Sequence, residues 1–236
     1  MARRIGILTG GGDVPGLNSV IKEVVYRATE NDCEVLGIRR GWEGLTHLDY
    51  ESEESREKYL LPLDRANTRT IDRFGGTILH SSRVSPTQMR SLPEFLVGGT
   101  FPKSDAGWDV SSHVLKNIEH LRLDNLIVIG GDGTLSFAHR LAKLGMKVIA
   151  IPKTMDNDVQ GTEYSVGFST AITRATAAIQ RQRTTVASHE RVGIFRVFGR
   201  DSGFTALYTA YVTSLRCAIP EFTVNLDKLI ELLIKE

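Results

Sequence analysis

An α/β fold, a parallel sheet with helices on both faces, is predicted for this 236-residue chain by three observations. Short apolar runs alternate with longer amphipathic stretches, which is how parallel strands and their crossover helices read in sequence. The runs end in polar or glycine-rich loops, where open α/β sheets hold their ligands. The length leaves room for a full hydrophobic core.

The elements follow in order. Ile5 to Thr9 reads as the first strand and is followed by a glycine-rich turn. A helix from about Leu17 to Ala28 places Val20, Ile21, Val24 and Val25 on one face, and Glu34 to Ile38 is a second strand. From Gly41 to about Asp105 no long periodic segment appears, and this irregular stretch is expected to line a site or an interface. Regularity returns with a Ser-capped helix, Ser111 to Leu121, the strand Leu126 to Ile129, a helix to about Leu144 and the strand Lys147 to Ile151. A polar loop, Pro152 to Gly161, precedes a long helix from about Ser169 to Thr185. Val192 to Val197 reads as a strand, Asp201 to Thr213 as a helix, and Asp227 to Lys235 as a last amphipathic helix. In such an alternation a strand should come next, so the second domain is expected to be incomplete.

Composition narrows the function classes. A formal net charge of +1 lacks the basic excess of a dedicated nucleic-acid binder. No stretch approaches the roughly 18 consecutive apolar residues of a membrane span. The apolar run after Met1-Ala2-Arg3-Arg4 is too short for a signal-peptide core, so a cytoplasmic protein is expected. Cys33 and Cys217 form no CxxC pattern and read as buried free thiols.

Three loops beyond strand ends carry the chemistry. In Thr9-Gly10-Gly11-Gly12-Asp13-Val14-Pro15-Gly16 the glycines let backbone approach a phosphate, and the next helix N-terminus supplies free N–H groups. It lacks the Gly-Lys-Ser/Thr of a Walker loop, and Asp13 and Pro15 interrupt a GxGxxG pattern. In Gly130-Gly131-Asp132-Gly133-Thr134 a carboxylate stands between glycines, suited to Mg²⁺ while adjacent amides hold phosphates. In Pro152-Lys153-Thr154-Met155-Asp156-Asn157-Asp158 one carboxylate can take a proton from an attacking hydroxyl while the other assists. Arg83, Arg191 and Arg200 sit at loop or strand ends, and the set as a whole meets the needs of phosphoryl transfer. His80 and His189 lack a nucleophile or metal-site partner and read as structural or peripheral.

The series GGGDVPGLN, GGT(x)5R, GGDGT, PKTMDND and SHER(x)8R resembles the phosphofructokinase family, in order, from Arg4 to about Phe222. GGDGT alone also occurs in lipid and NAD kinases; PKTMDND about 20 residues later is far more specific. The resemblance implies a Rossmann-like, phosphofructokinase-like fold and transfer of a phosphoryl group to the 1-hydroxyl of fructose 6-phosphate in glycolysis. It implies Asp156 as general base with Asp158 beside it, and Asp132 as the Mg²⁺ ligand. Gly12, Arg83, Gly131, Asp132, Gly133, Thr134 and Lys153 would meet the donor. Thr154, Met155, Asp156, Arg191, Phe198, Gly199 and Arg200 would meet the sugar phosphate, with Arg200 also stabilising transferring charge. Arg191 would reach a neighbouring subunit's site, implying a homo-oligomer, dimer or tetramer.

Relatives that use pyrophosphate typically carry aspartate at the position of Gly133 and lysine at that of Lys153. Gly133 leaves room for ATP, the favoured donor, while Lys153 keeps pyrophosphate as the alternative. Lys22 and Tyr26 stand where allosteric bacterial members carry arginines, against effector-nucleotide control. The expected domains are 1–165, binding donor and Mg²⁺, and 166–236, the start of a truncated substrate domain. Family members run past 300 residues, and a non-catalytic nucleotide-binding or subunit-pairing module is the remaining reading.

Overall fold

The computed structural model describes residues 3–235, which form two compact units dividing between Lys153 and Thr154. The first unit contains β1 (Arg3–Thr9), α1 (Leu17–Glu30), β2 (Cys33–Ile38), α2 (Glu43–Thr46), α3 (Glu53–Tyr59), β3 (Leu60–Leu63) and α4 (Arg65–Thr68). It continues through a small hairpin, β4 (Lys103–Ser104) and β5 (Gly107–Trp108), to α5 (Ser111–His120), β6 (Asn125–Gly130), α6 (Asp132–Lys143) and β7 (Val148–Thr154).

The sheet of this unit runs β3-β2-β1-β6-β7. The pairs β1–β2, β1–β6 and β6–β7 are parallel, and β3 lies antiparallel against β2. Side chains alternate across the sheet, as the two-residue strand period requires. Leu8, Ile38, Leu126 and Val128 bury against Trp42 and Leu45 and against Val114, Ile118, Phe137 and Leu141 of α5 and α6. On the other face α1 packs on β1 and β2. Its buried residues Leu17, Ile21, Val25 and Ala28 form one helical stripe. Each fully buried Leu or Ile contributes about 1.5–3 kcal/mol relative to exposure. The α/β class read from the sequence is therefore the fold observed.

Local differences have physical causes. The stretch 41–105 is built from elements too short to show a period. β3 is four residues long and is defined by its pairing with β2, Leu36 opposite Pro62. At α5 the serine is not the cap: Ser111 is buried, and its amide and hydroxyl donate to Asp109 Oδ1 at 2.9 and 2.5 Å. Arg140 of α6 pairs with the same carboxylate at 2.8 Å, tying α6 to the start of α5. Burial pushes the Asp109 carboxyl up, but Ser111 and Arg140 together outweigh it and hold it below the ordinary range. Neither cysteine is a buried thiol, since Cys33 is half-buried and Cys217 exposed.

The second unit holds β8 (Val166–Gly167), α7 (Phe168–Ser188), α8 (Phe204–Thr213) and α9 (Leu226–Ile234). α7 and α8 pack together: Phe168, fully buried, meets Tyr208 edge-on at 5.6 Å, and Arg183 donates to the Thr213 carbonyl at 2.9 Å. The strand expected at Val192 to Val197 is not formed. Its residues suit a strand, but no described segment pairs with it, and Ile194 is 92% exposed. A strand is defined by a hydrogen-bonded neighbour, not by its side chains alone.

Two histidines give the first unit an acid-sensitive region. His113 lies among Leu48, whose carbonyl is 3.1 Å from Nε2, and Asn117; His47 sits one turn from Glu43. Burial lowers both pKa values below 6.5, outweighing the Leu48 carbonyl at His113 and Glu43 at His47. A histidine depressed in the folded state binds its proton more readily when unfolded. Stability is therefore fully present above about pH 6.5 and is lost as pH falls through the depressed folded values. Urea midpoints should fall between pH 7.5 and 5.5, and His113→Gln should flatten that fall. An unchanged pH slope in the variant would remove His113 from the account.

Candidate active site

In the first unit, loops distant in sequence meet at the carboxyl ends of β1, β6 and β7. Gly10 donates to the Ile129 carbonyl at 2.9 Å, and Gly11 donates to the Ser82 carbonyl at 2.8 Å. The Ser81 hydroxyl returns a bond to the Gly11 carbonyl at 2.5 Å. Lys153, only 4% exposed, donates from Nζ to the Gly12 carbonyl at 2.5 Å. A Cβ at Gly12 would stand 3.6 Å from Arg83 Nη2, and one at Gly131 would stand 3.5 Å from the Lys153 carbonyl. The glycine-rich turn, the Ser81–Arg83 loop, the GGDGT loop and Lys153 thus form one place.

Thr134 sets the packing beneath it. The threonine is buried, its carbonyl accepts from Trp42 Nε1 at 3.1 Å, and its side chain lies against Gly10 and Gly130. A Cβ at Gly10 would come within 2.7 Å of Thr134 Oγ1, so only glycine permits this approach. Asn18, 3% exposed, bonds the Phe74 carbonyl through Nδ2 at 3.1 Å and the Ile78 amide through Oδ1 at 2.9 Å. It fixes the GGT segment that leads to Arg83.

Asp132 and Gly133 open α6, with Gly131 as its N-cap. Their exposed position beside the first free amides of a twelve-residue helix is suited to an anion. Gly133 has no atom within 4 Å of an added Cβ, so the space in front of it is open. Among the described residues no group of three His, Cys, Asp or Glu side chains could hold a metal ion. A single exposed carboxylate does not fit a protein-caged cation. It does fit Mg²⁺, which keeps several waters and completes its shell with substrate phosphates.

Thr154 to Asp158 begin the second unit. The loop is held through its backbone: the Asp156 amide donates to Thr154 Oγ1 at 3.0 Å, Ser202 Oγ donates to the Asp156 carbonyl at 2.7 Å, and Thr205 Oγ1 donates to the Met155 carbonyl at 2.6 Å. Asn157, at φ +51°, secures the loop's far side through the Ser165 amide and the Glu163 carbonyl, both at 2.9 Å. Asp158 lines an open cleft of about 520 Å³ with Tyr164, Phe204 and Tyr208. Gly199 and Arg200 lie in the turn closed by the Ser202 amide on the Gly199 carbonyl at 2.8 Å, directly after Phe198, with Arg200 exposed at φ +52°. Arg191 is exposed just beyond α7, its amide bonded to the Val186 carbonyl.

Sequence reading missed Ser81, Ser82, Trp42, Ser202 and Thr205. Two adjacent serines directly before Arg83 were the available signal for the first pair. Nothing in the sequence points from Ser202 or Thr205 to a loop some 50 residues earlier.

The comparisons with known proteins point to one family. A family model described as Phosphofructokinase matches residues 4–236. The chain is 40% identical over 228 residues to the ATP-dependent 6-phosphofructokinase 3 of Streptomyces coelicolor, covering 96% of this chain and 59% of that protein. It is 40% identical over 227 residues to the pyrophosphate–fructose 6-phosphate 1-phosphotransferase of Dictyoglomus thermophilum, covering 96% and 58%. It thus spans somewhat under three-fifths of the length of these two relatives. In fold it is similar to the T-state crystal structure of Pichia pastoris phosphofructokinase, with a TM-score of 0.80 and 23% identity, over 99% of this chain and 23% of that one. A pyrophosphate-dependent phosphofructokinase from Marinobacter aquaeolei gives a TM-score of 0.70 at 17% identity, over 97% and 56%.

Proposed function

The chain belongs to the phosphofructokinase family, and from that premise we propose that it carries the donor and base groups of a 6-phosphofructokinase using ATP. The observation that carries the reading is the meeting of Gly10–Gly12, Ser81–Arg83, the GGDGT loop and Lys153 at the strand ends. Backbone amides of the glycine loops and the α6 N-terminus bind the phosphates, and Arg83 and Lys153 add positive charge. Asp132 holds Mg²⁺, which when bound neutralises phosphate charge. Asp156 takes the proton of the sugar 1-hydroxyl as its oxygen bonds to the terminal phosphorus and the bridging oxygen leaves with the remaining phosphates. Asp158 assists Asp156, while Thr154, Met155, Arg191 and Phe198 to Arg200 bind fructose 6-phosphate.

On this reading residues 1–165 form the donor domain and 166–236 begin the substrate domain. The protein is cytoplasmic and a homo-oligomer, with Arg191 on the contact. Among the described residues no helix is long and apolar enough to cross a membrane.

Pyrophosphate is the second reading, favoured by Lys153 at the Gly12 carbonyl and by the Dictyoglomus relative. Open space before Gly133 supports the nucleotide. The test supplies fructose 6-phosphate and Mg²⁺ with either donor, and fructose 1,6-bisphosphate is expected from ATP. Product from neither donor would sink the proposal. Gly133→Asp should leave stability unchanged, because nothing occupies its Cβ space, and should shift the donor preference about tenfold or more towards pyrophosphate. An unchanged donor ratio would remove the steric argument.

A further inference from the structure

The base loop has no element of its own to stiffen it: residues 155–165 contain neither helix nor strand. Its two consecutive carbonyls, Met155 and Asp156, are nevertheless both bonded, and both donors are hydroxyls: Thr205 in the first turn of α8 at 2.6 Å, and Ser202 just before that helix at 2.7 Å. Thr205 is only 3% exposed, so its hydroxyl makes this bond out of reach of bulk water. Ser202 is itself held, its amide bonded to the Gly199 carbonyl, and the next amide, Gly203, donates to Glu221 Oε1 at 2.6 Å.

We infer that Thr205 and Ser202 are positioning residues that fix the backbone of Asp156, a role that rests on Asp156 being the base. Both hydroxyls donate to peptide carbonyls. Each acts through one of the two peptide carbonyls that flank the Asp156 Cα, fixing where its Cβ vector points. A general base is effective only when held within hydrogen-bond reach of the proton it removes. The Ser202 bond also couples that aspartate to the turn carrying Arg200. One loop position therefore sets the direction of the proton acceptor and the spacing to an arginine on the substrate side.

The test uses the whole chain with ¹³C-carboxyl-labelled aspartate, the Asp156 signal being assigned by its loss in Asp156→Asn. The wild type should show one Asp156 carboxyl resonance. Thr205→Val, which keeps shape and loses the hydroxyl, should split or broaden it, with the displaced population rising roughly tenfold. Thr205→Ser should restore the single resonance. Ser202→Ala, at a half-buried site that tolerates the change, should act in the same direction more weakly. ATP and pyrophosphate affinities should stay within about twofold, because the donor groups lie in the first unit. A single unshifted Asp156 resonance in both Thr205→Val and Ser202→Ala would overturn the inference, as would a Thr205→Ser variant that behaves like Thr205→Val. The base role fails separately, if Asp156→Asn retains turnover, and the resonance result does not depend on it.

Discussion

Asp156→Asn is expected to slow phosphoryl transfer to fructose 6-phosphate by about 10²- to 10⁴-fold, the range a positioned general base supplies. Asparagine has nearly the same shape. The recorded backbone bonds of the loop, from the Asp156 amide to Thr154 and from Ser202 to the Asp156 carbonyl, do not involve the carboxylate. The substitution therefore keeps these backbone bonds and removes the carboxylate's capacity to accept a proton. Donor affinity should change by less than about twofold, since the donor loops belong to the other unit. Single-turnover rates at saturating donor measure the effect without interference from product release. A rate within about threefold of wild type would reassign the base, with Asp158 the next residue to substitute.

Lys153→Met should weaken donor binding by roughly 10- to 150-fold, the equivalent of a charge-assisted hydrogen bond worth about 1.5–3 kcal/mol. The lysine is 4% exposed, and its ammonium lies 3.4 Å from where a Cβ on Gly11 would stand. It is thus inside the glycine-rich loop and not beside it. Methionine fills the space of the stem but leaves the Gly12 carbonyl without its donor and the phosphates without that charge. Because the site is buried, the loss should persist at high ionic strength, where a surface charge would be screened. Pyrophosphate should suffer more than ATP, since it has no base or ribose to contribute other contacts. Calorimetric titration of both donors at two salt concentrations measures this, and equal affinities in variant and wild type would refute it.

Much of the first unit was legible because its strands are apolar runs that end in glycine-rich or polar loops. β1, β2, β6 and β7 begin within a residue or two of where the runs do, and β7 continues to Thr154. The positions of the glycine loops were legible for the same reason: glycines follow β1 directly and stand at the junction of β6 and α6. Long-range partners were not legible. Lys153 and Gly12 lie 141 positions apart, and no local pattern predicts that a lysine on one strand end will close the turn after another. Short elements such as α2 and β3 owe their form to what they pack on, so propensity says little about them. At Val192–Val197 local propensity was right for a strand while no described partner completes it. Ser202 and Thr205 read as ordinary polar residues near a helix start, and their targets are set by the fold.

Thr134 gives the glycines around it a conditional character. A methyl at Gly10 would meet the threonine's branch atoms, at 2.7 Å, while a methyl at Gly130 would overlap its Cβ. Trimming Thr134 to alanine would therefore open position 10 but not position 130, which stays closed until residue 134 loses its side chain entirely. The three sites behave as one heritable unit in which the order of change matters. Substitution at 130 is blocked first, at 10 second, and every open route passes through the loss of the threonine hydroxyl. Such epistasis would keep this corner of the loop fixed in descendants even where position 133 drifts, since a Cβ there points into open space.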